Sequence, residues 1–517
     1  MNRKGRGERA VYNVTASLLS QIVALVSGFI LPHLIMRSFG SSYNGITSSV
    51  SQFLSVIALL RGGVGGATRV ALYKSLALKD MKQVSATIKA TELFMRKIAL
   101  VFLGFILVFS CLYPFLVRKE FSWLFASSLV IIISISTFMQ YYFGITYQFL
   151  LQADQRQYIT TFVDIIAVVL NVLISVILIK AGVGIHGVKF GSALAFSVVP
   201  LFLYFYCRKH YEIDDSVEPD FRSISQRWDA FYHQLASFVH NNTDISLLTI
   251  FYSQKIISVY TTYYLVGNGV RKILLTISVG VEAAFGDIIA RKEKEVLQDD
   301  VSIYETMIHI LSCCVFGPAL LLVTPFIKVY TRDVTDIVYS RYTFGYLVII
   351  TEMLFCLRSP YEAIINAAGH FKETKKYAFI EAGMNLAISL VLVWKYELIG
   401  VVLGTLISIM FRIIAYSLYS DKYIVHRSYW IAIKRFLTTA VTILLICTIC
   451  SLIAKPDSLT YLSWILYAIP VTIISIFVTI IINLLFYRNV TLKTGKKINS
   501  IIITVTKRFS KTKRRIK

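Results

Sequence analysis

Residues 148–153 read QFLLQA and residues 362–367 read EAIINA, an offset of 214 positions. The same offset carries Asn171 and Ser175 onto Asn385 and Ser389. Upstream, Tyr43, Gly63 and Ala67 match Tyr260, Gly280 and Ala284 at an offset of 217, and downstream GVKFG from Gly187 matches GVVLG from Gly400 at 213. Each pair alone is weak. Their colinearity over about two hundred positions is what chance matches do not produce, so the chain contains an internal duplication. Each copy holds six apolar spans, between about residues 12 and 206 and between about 230 and 419. An even number of spans gives both copies one orientation, the parallel repeat typical of carriers that rock one half against the other.

Composition fixes the class. With 517 residues, 56 % hydrophobic and 16 % charged, the chain is too apolar for a soluble protein and long enough for many spans of about 20 residues. The pattern predicts an all-α integral membrane protein of about fourteen transmembrane helices. Two parallel six-helix repeats form lobes around a central cavity, and two C-terminal helices follow. The expected divisions are an N-lobe at 1–206, a cytosolic linker at 207–229, a C-lobe at 230–420, helices 13 and 14 within 421–487, and a basic tail at 488–517.

The net charge of +24 is lopsided. Lys and Arg concentrate in alternate loops and both tails, which by the positive-inside rule puts both termini in the cytosol. The start, MNRKGRGER, is a basic stretch before a span too long for a cleavable signal and reads as the flank of a retained first helix. From Arg488 to Lys517 there are eleven basic residues and no acidic one, a tail suited to anionic inner-leaflet lipids rather than nucleic acid.

Enzyme signatures are missing. GxGxxG, a Walker sequence and HExxH do not occur, and the seven cysteines form no framework. Cys447 and Cys450 make a CxxC inside an apolar helix, which favours ordinary packing over zinc or redox chemistry. The outer connections, as at 37–42, 118–121 and 395–397, are too short to fold into an external catalytic domain. A piece at 66–78 reads as a short helix at the inner interface.

A carrier needs polar helix faces. Span one aligns Asn13, Ser17, Ser20 and Gln21; span two aligns Asn44, Ser48, Ser51 and Ser55; span seven aligns Gln234, Ser237, Asn241 and Asp244. Span eight, expected at 257–288, aligns Tyr264, Asn268, Arg271, Ser278 and Glu282 within roughly 60° of one another. Spans seven and eight are the repeat equivalents of one and two, as a shared cavity requires. Ser, Asn and Gln in membrane helices often only bond to neighbours, at about 1 kcal/mol each. Charges are harder to accommodate: Arg271 and Lys272 together burden span eight by about 5–7 kcal/mol unless compensated. Arg271 is the leading candidate for an anionic ligand, with Lys272 about 100° away and Arg61 near the cytosolic end of span two. Asp244 and Glu282 are the acids suited to a proton or sodium ion, or to an ion pair with Arg271. Asp164, His309, Glu352, Glu381 and Arg412 lie within spans, mostly toward cytosolic ends where local pairing explains them; Lys189 lies toward an outer end.

Several stretches together resemble the polysaccharide-transporter branch of the multidrug/oligosaccharidyl-lipid/polysaccharide exporter superfamily, the Wzx-like oligosaccharide flippases. They are RSFGSSYNGI with LLRGGVGGATR around span two, LLQADQRQY before span five, GIHGVKFGSAL after the Asn171 helix, NAAGHFKETKKY, and IGVVLGTLIS. The resemblance covers nearly the whole chain. It implies two six-helix lobes and a cationic cavity lined by helices one, two, seven and eight. The implied cargo is an undecaprenyl-diphosphate-linked oligosaccharide, flipped from the cytosolic to the outer leaflet of a bacterial plasma membrane. Related lipid-precursor flippases contact the diphosphate with arginines in helix one. This chain has none between Val11 and Met36, so Arg271 carries more of that role. The cargo contacts expected are Arg271, Lys272, Arg61, Asn44, Ser48, Asn241 and Asn268, with Asp244 and Glu282 for ion coupling and no cofactor or metal. A cation-coupled drug exporter of the same superfamily is the alternative, and a polymerase of polysaccharide assembly a remote third.

Overall fold

The computed structural model describes residues 3–224, 242–276, 278, 281–453 and 460–513, and among them there is no β-strand. The helices are α1 Arg3–Phe39, α2 Ser41–Leu54, α3 Ala58–Leu78, α4 Met81–Val117, α5 Trp123–Met139, α6 Ile145–Ala153, α7 Gln157–Lys180 and α8 Ile185–His210. Next come α9, described over 242–251, α10 Gln254–Thr276, α11 Val281–Ala290, α12 Lys294–Tyr330, α13 Tyr342–Ala367, α14 Phe371–Ser420, α15 Trp430–Ser451 and α16 Tyr461–Lys513.

Nine helical segments among the described residues are long and apolar enough to cross a bilayer. One of them, Phe371–Val425, holds two spans, because α14 is broken at Glu397, where φ is 47° and ψ −124°. The chain folds back there: Asn385 Nδ2 donates to Thr405 Oγ1 at 2.9 Å, and Ser389 Oγ donates to the Val401 carbonyl at 3.2 Å. The first copy builds the same hairpin from α7 and α8, with Ser175 Oγ 3.5 Å from Ser192 Oγ. The Asn/Ser pairs of both copies are buried. Other expected spans are shorter or more polar: 43–63 is divided among α2, a 3-10 turn and α3, 230–253 is described only from residue 242, and α10 and α13 carry buried charge. Large apolar side chains such as Val101, Leu124, Leu444 and Leu485 are about 70 % exposed, a surface that only lipid covers cheaply. The protein is a multi-pass membrane protein.

Packing divides the chain into two compact units. The first comprises Met1–Leu265 with Asp333–Val338 and Leu386–Val401. In it an aromatic ladder on α4, Phe102, Phe105, Phe109 and Tyr113, runs at centroid spacings of 6.0, 5.6 and 5.1 Å and meets Phe53 of α2. The second comprises Val266–Arg332, Tyr339–Asn385 and Val402–Lys517, and in it α12 packs along α13, α15 and α16. Cys450 is a buried thiol packed with Leu322, Ile446, Tyr467 and Val471.

Two segments differ from the sequence expectation. Residues 66–78 belong to α3, which begins at Ala58. Span eight is not one helix: hydrogen bonds from Ser278 N to Leu275 O and from Val281 N to Ser278 O, at 3.0 and 3.2 Å, replace the i→i−4 ladder and end α10 at Thr276. Glu282 therefore opens a separate helix, and a 100° wheel drawn through the break does not place it beside Arg271. The 211–224 segment lies on α4, whose Lys89 donates to the Asp215 and Val217 carbonyls at 2.6 and 2.9 Å. There, hydrogen bonds from the Ser216 side chain and backbone hold the exposed Asp214 carboxyl below its ordinary value.

Candidate functional site

In the second unit the site grows from Arg271 on α10. Its Nη1 lies 3.0 Å from Glu352 Oε2 of α13, its Nη2 donates to Asn268 Oδ1 at 3.0 Å, and its guanidinium carbon stands 4.6 Å from the Phe355 ring centre. The Glu352 side chain is 2 % exposed and that of Arg271 15 %, so the cation retains an accessible edge where the acid has almost none. Gly267 permits this approach, since a Cβ there would come within 2.9 Å of Glu352 Cγ. Placing the carboxylate so close offsets the cost of an arginine among apolar helices.

The Phe355 ring also carries Arg358 on its surface at 5.2 Å, which joins the pair to a second charged group. Arg358 bridges Glu362 and Glu381, at 3.2 Å each, and Glu381 also pairs with Arg412. Nearer α15, Arg427 binds Glu305 and Asp421, and Arg435 lies 3.5 Å from Glu305. All four of these side chains are 5 % exposed or less, a fully internal cross-brace between α12 and the α14–α15 connection. His309 beside it accepts or donates to Thr439 Oγ1 at 2.6 Å.

The remaining second-unit candidates are dispersed. Lys272 is exposed, and Glu282 is exposed with Asn366 Nδ2 3.4 Å from its Oε2. Arg271 has Glu352 of α13 as an ion-pair partner, an acid other than the two expected, Asp244 and Glu282. Sequence reasoning placed Glu352 among locally paired acids. Its signal was an isolated carboxylate in an apolar span, but nothing along the chain said which helix it would face.

In the first unit the α2 stripe is largely engaged. Asn44 Nδ2 donates to Ser258 Oγ at 2.8 Å in a buried setting, and Ser48 Oγ bonds back to the Asn44 carbonyl at 2.9 Å. Ser49 meets Thr249 at 2.8 Å, and Gln52 and Ser55 both reach Asn242 Oδ1. Asp244 is buried and accepts from Tyr260 Oη at 2.7 Å. Asn13 of the α1 stripe holds the turn before α7, with its Nδ2 on the Gln155 carbonyl and its Oδ1 on Tyr158 N. Asn241, with Gln234 and Ser237, lies outside the described residues. Arg61 donates to Gln148 Oε1 at 3.0 Å and lines a cavity of about 430 Å³ walled by residues of α1–α3, α5, α7 and α8. No group of three or more His, Cys, Asp or Glu suited to a metal occurs among the described residues.

No family model matches the sequence, and no curated protein matches it. Solved structures do. The lipid II flippase MurJ in its inward closed conformation superposes with a TM-score of 0.69 at 17 % identity, covering 93 % of this chain and 99 % of that one. An inward-facing multidrug resistance MATE family transporter of the MOP superfamily gives 0.63 at 14 % identity over 78 % of this chain and 95 % of that one. A MATE structure in the bent conformation gives 0.52 at 14 % identity, with 81 % and 96 % covered. The chain shares the all-helical fold of these transporters along most of its length.

Proposed function

We propose that this protein flips an undecaprenyl-diphosphate-linked oligosaccharide from the cytosolic to the outer leaflet of a bacterial plasma membrane by alternating access, for cell-surface polysaccharide assembly. The reading keeps the parallel lobes at 1–206 and 230–420, cytosolic termini and no enzymatic step. The carrying observation is Arg271, a mostly buried guanidinium with one accessible edge, seated among apolar helices by a buried carboxylate and an aromatic ring. A diphosphate offers that edge a bidentate partner.

Physical chemistry favours such cargo in such a protein. Sugar hydroxyls and phosphates cost several kcal/mol per polar group in hydrocarbon, whereas a polyprenyl tail is at home there. A protein that moves the head group needs a polar lining, and the tail needs nothing. Asn268, Lys272, Arg61, Asn44, Ser48 and Asn241 are the further cargo contacts of this proposal, and Asp244 and Glu282 its sites for a proton or sodium ion. The basic tail from Arg488 suits anionic inner-leaflet lipids.

The test is flipping in proteoliposomes with lipid-linked oligosaccharide. An Arg271→Met/Glu352→Gln protein, which removes both charges together and so avoids an orphaned acid, transports poorly if Arg271 holds the head group. Unimpaired transport overturns that assignment. A second reading, a cation-coupled drug exporter, draws on the buried acid Asp244 and predicts efflux of lipophilic cations that Asp244→Asn abolishes.

A further inference from the structure

The cavity inside the first unit differs from the second unit in its charge accounting. In the second unit Arg271, Arg358, Arg412, Arg427 and Arg435 each have a carboxylate within 3.5 Å. The cavity of about 430 Å³ has two cations on its wall, Arg61 from α3 and Lys189 from α8, and among the described residues neither has a carboxylate within 4 Å. Among the described residues Arg61 has the neutral Gln148 as its hydrogen-bond partner, and Asp164 acts on it from beyond ion-pair range. Lys189, one turn into α8 and half-buried, has no hydrogen bond to a protein group among the described residues.

An ammonium with no carboxylate in ion-pair range, and a guanidinium with only the more distant Asp164, are costly among apolar helices, and such residues mark ligand paths. The rest of the wall mixes apolar side chains, among them Leu31, Ile35 and Phe196, with polar ones. Thr137 and Gln140 come from α5 and the turn after it, Asn171 from α7, and Ser192 from α8. These groups offer hydroxyls and amides, which suit a sugar ring, and the two cations demand an anion.

We propose that this cavity binds an anionic group, a carboxylate or a phosphate, with Lys189 as the charge that recognises it and Arg61 as its second contact. The acid is carried by a sugar of the cargo, so that the protein favours an acidic glycan; this part rests on the flippase reading above. The same chemistry could be satisfied by a free inorganic anion, and the experiment separates the two sources.

Full-length protein is reconstituted with two diphosphate-lipid cargoes, one whose glycan contains a glucuronate and one in which that carboxyl is reduced to the alcohol. In parallel, thermal unfolding of the detergent-purified protein is followed with inorganic phosphate. The wild type is expected to flip the acidic cargo at least about tenfold faster, with Lys189→Gln erasing the preference and Lys189→Arg restoring it. Phosphate should raise the unfolding temperature of the wild type and leave Lys189→Gln unmoved. Equal transport of both cargoes together with a Lys189-dependent phosphate shift supports the anion site and assigns it to a free anion. If neither cargo is flipped by the wild type, the flippase reading fails, and the phosphate shift alone then decides the site. Absence of both the preference and the shift, or an effect that Lys189→Gln leaves intact, overturns the proposal.

Discussion

Asp336 accepts two hydrogen bonds from Ser41, one from its backbone N–H at 2.9 Å and one from its hydroxyl at 2.6 Å, and so caps the N-terminus of α2. Glu120 does the same for α10, accepting from the Gln254 N–H at 2.6 Å and, with its other oxygen, from the Ser42 hydroxyl at 2.6 Å. Glu120 and Asp336 are 216 residues apart, close to the repeat offset, so each copy caps the second helix of the other. All of these groups belong to the first unit. Carboxylates at helix N-termini satisfy otherwise orphaned N–H groups and oppose the helix dipole favourably.

These reciprocal caps must part whenever that end of the unit opens. Replacing Asp336 with Asn, or Glu120 with Gln, is expected to weaken each cap by about 1 kcal/mol, and because the two caps rest on adjacent residues the double variant should depart from the simple sum. A cysteine at Ser258, beside Asn44, should then react faster with a membrane-impermeant maleimide than in the otherwise unaltered protein. Equal labelling rates would mean that the caps do not govern access.

Gly45 lets α2 touch the start of α10, for a Cβ there would sit 1.8 Å from the Gln254 carbonyl oxygen. Gly45→Ala should push the helices apart and lower stability by about 1–3 kcal/mol, read as a fall in the thermal unfolding temperature. Gly66→Ala is the control, since nothing lies within 4 Å of a Cβ at that position.

Glu352 and Arg271 should behave as a unit. Arg271→Met alone leaves a buried carboxylate without that cation and should destabilise by about 3–5 kcal/mol, whereas adding Glu352→Gln should recover most of the loss. Thermal stability of the four proteins of the cycle gives the coupling, and additive losses would contradict it.

The α12–α15 brace makes a sharper version of the same point. Arg427 is 5 % exposed between Glu305 and Asp421, so Arg427→Ala should abolish folded protein in membranes, measured as monodisperse yield after extraction. Substituting Lys434, which is exposed nearby, should leave the yield unchanged.

What could be read along the chain was what repeats. The Asn171/Ser175 and Asn385/Ser389 pairs both fall buried inside helical hairpins, as colinear copies should. Polar stripes on α2 and α10 were visible because helical spacing reveals a face. Which element meets that face is a tertiary fact. Asn44 meets Ser258, Arg271 meets Glu352, and Asn13 holds the turn before α7, each with a partner more than 80 residues away. The break after Thr276 was likewise hidden, because an apolar run through LLTIS carries the helical period whether or not the backbone keeps its ladder. Lys189 was seen only as a charge near a helix end; its lack of a carboxylate needed the surrounding helices.

The most direct test of the central claim is leaflet transfer itself. Purified protein in proteoliposomes, supplied with undecaprenyl-diphosphate-linked oligosaccharide on one leaflet, should expose the glycan to an impermeant glycan-modifying reagent on the other. The Arg271→Met/Glu352→Gln protein, equally folded, should do so at a small fraction of that rate. Transfer no faster than in protein-free vesicles, or equal transfer by the two proteins, contradicts the account.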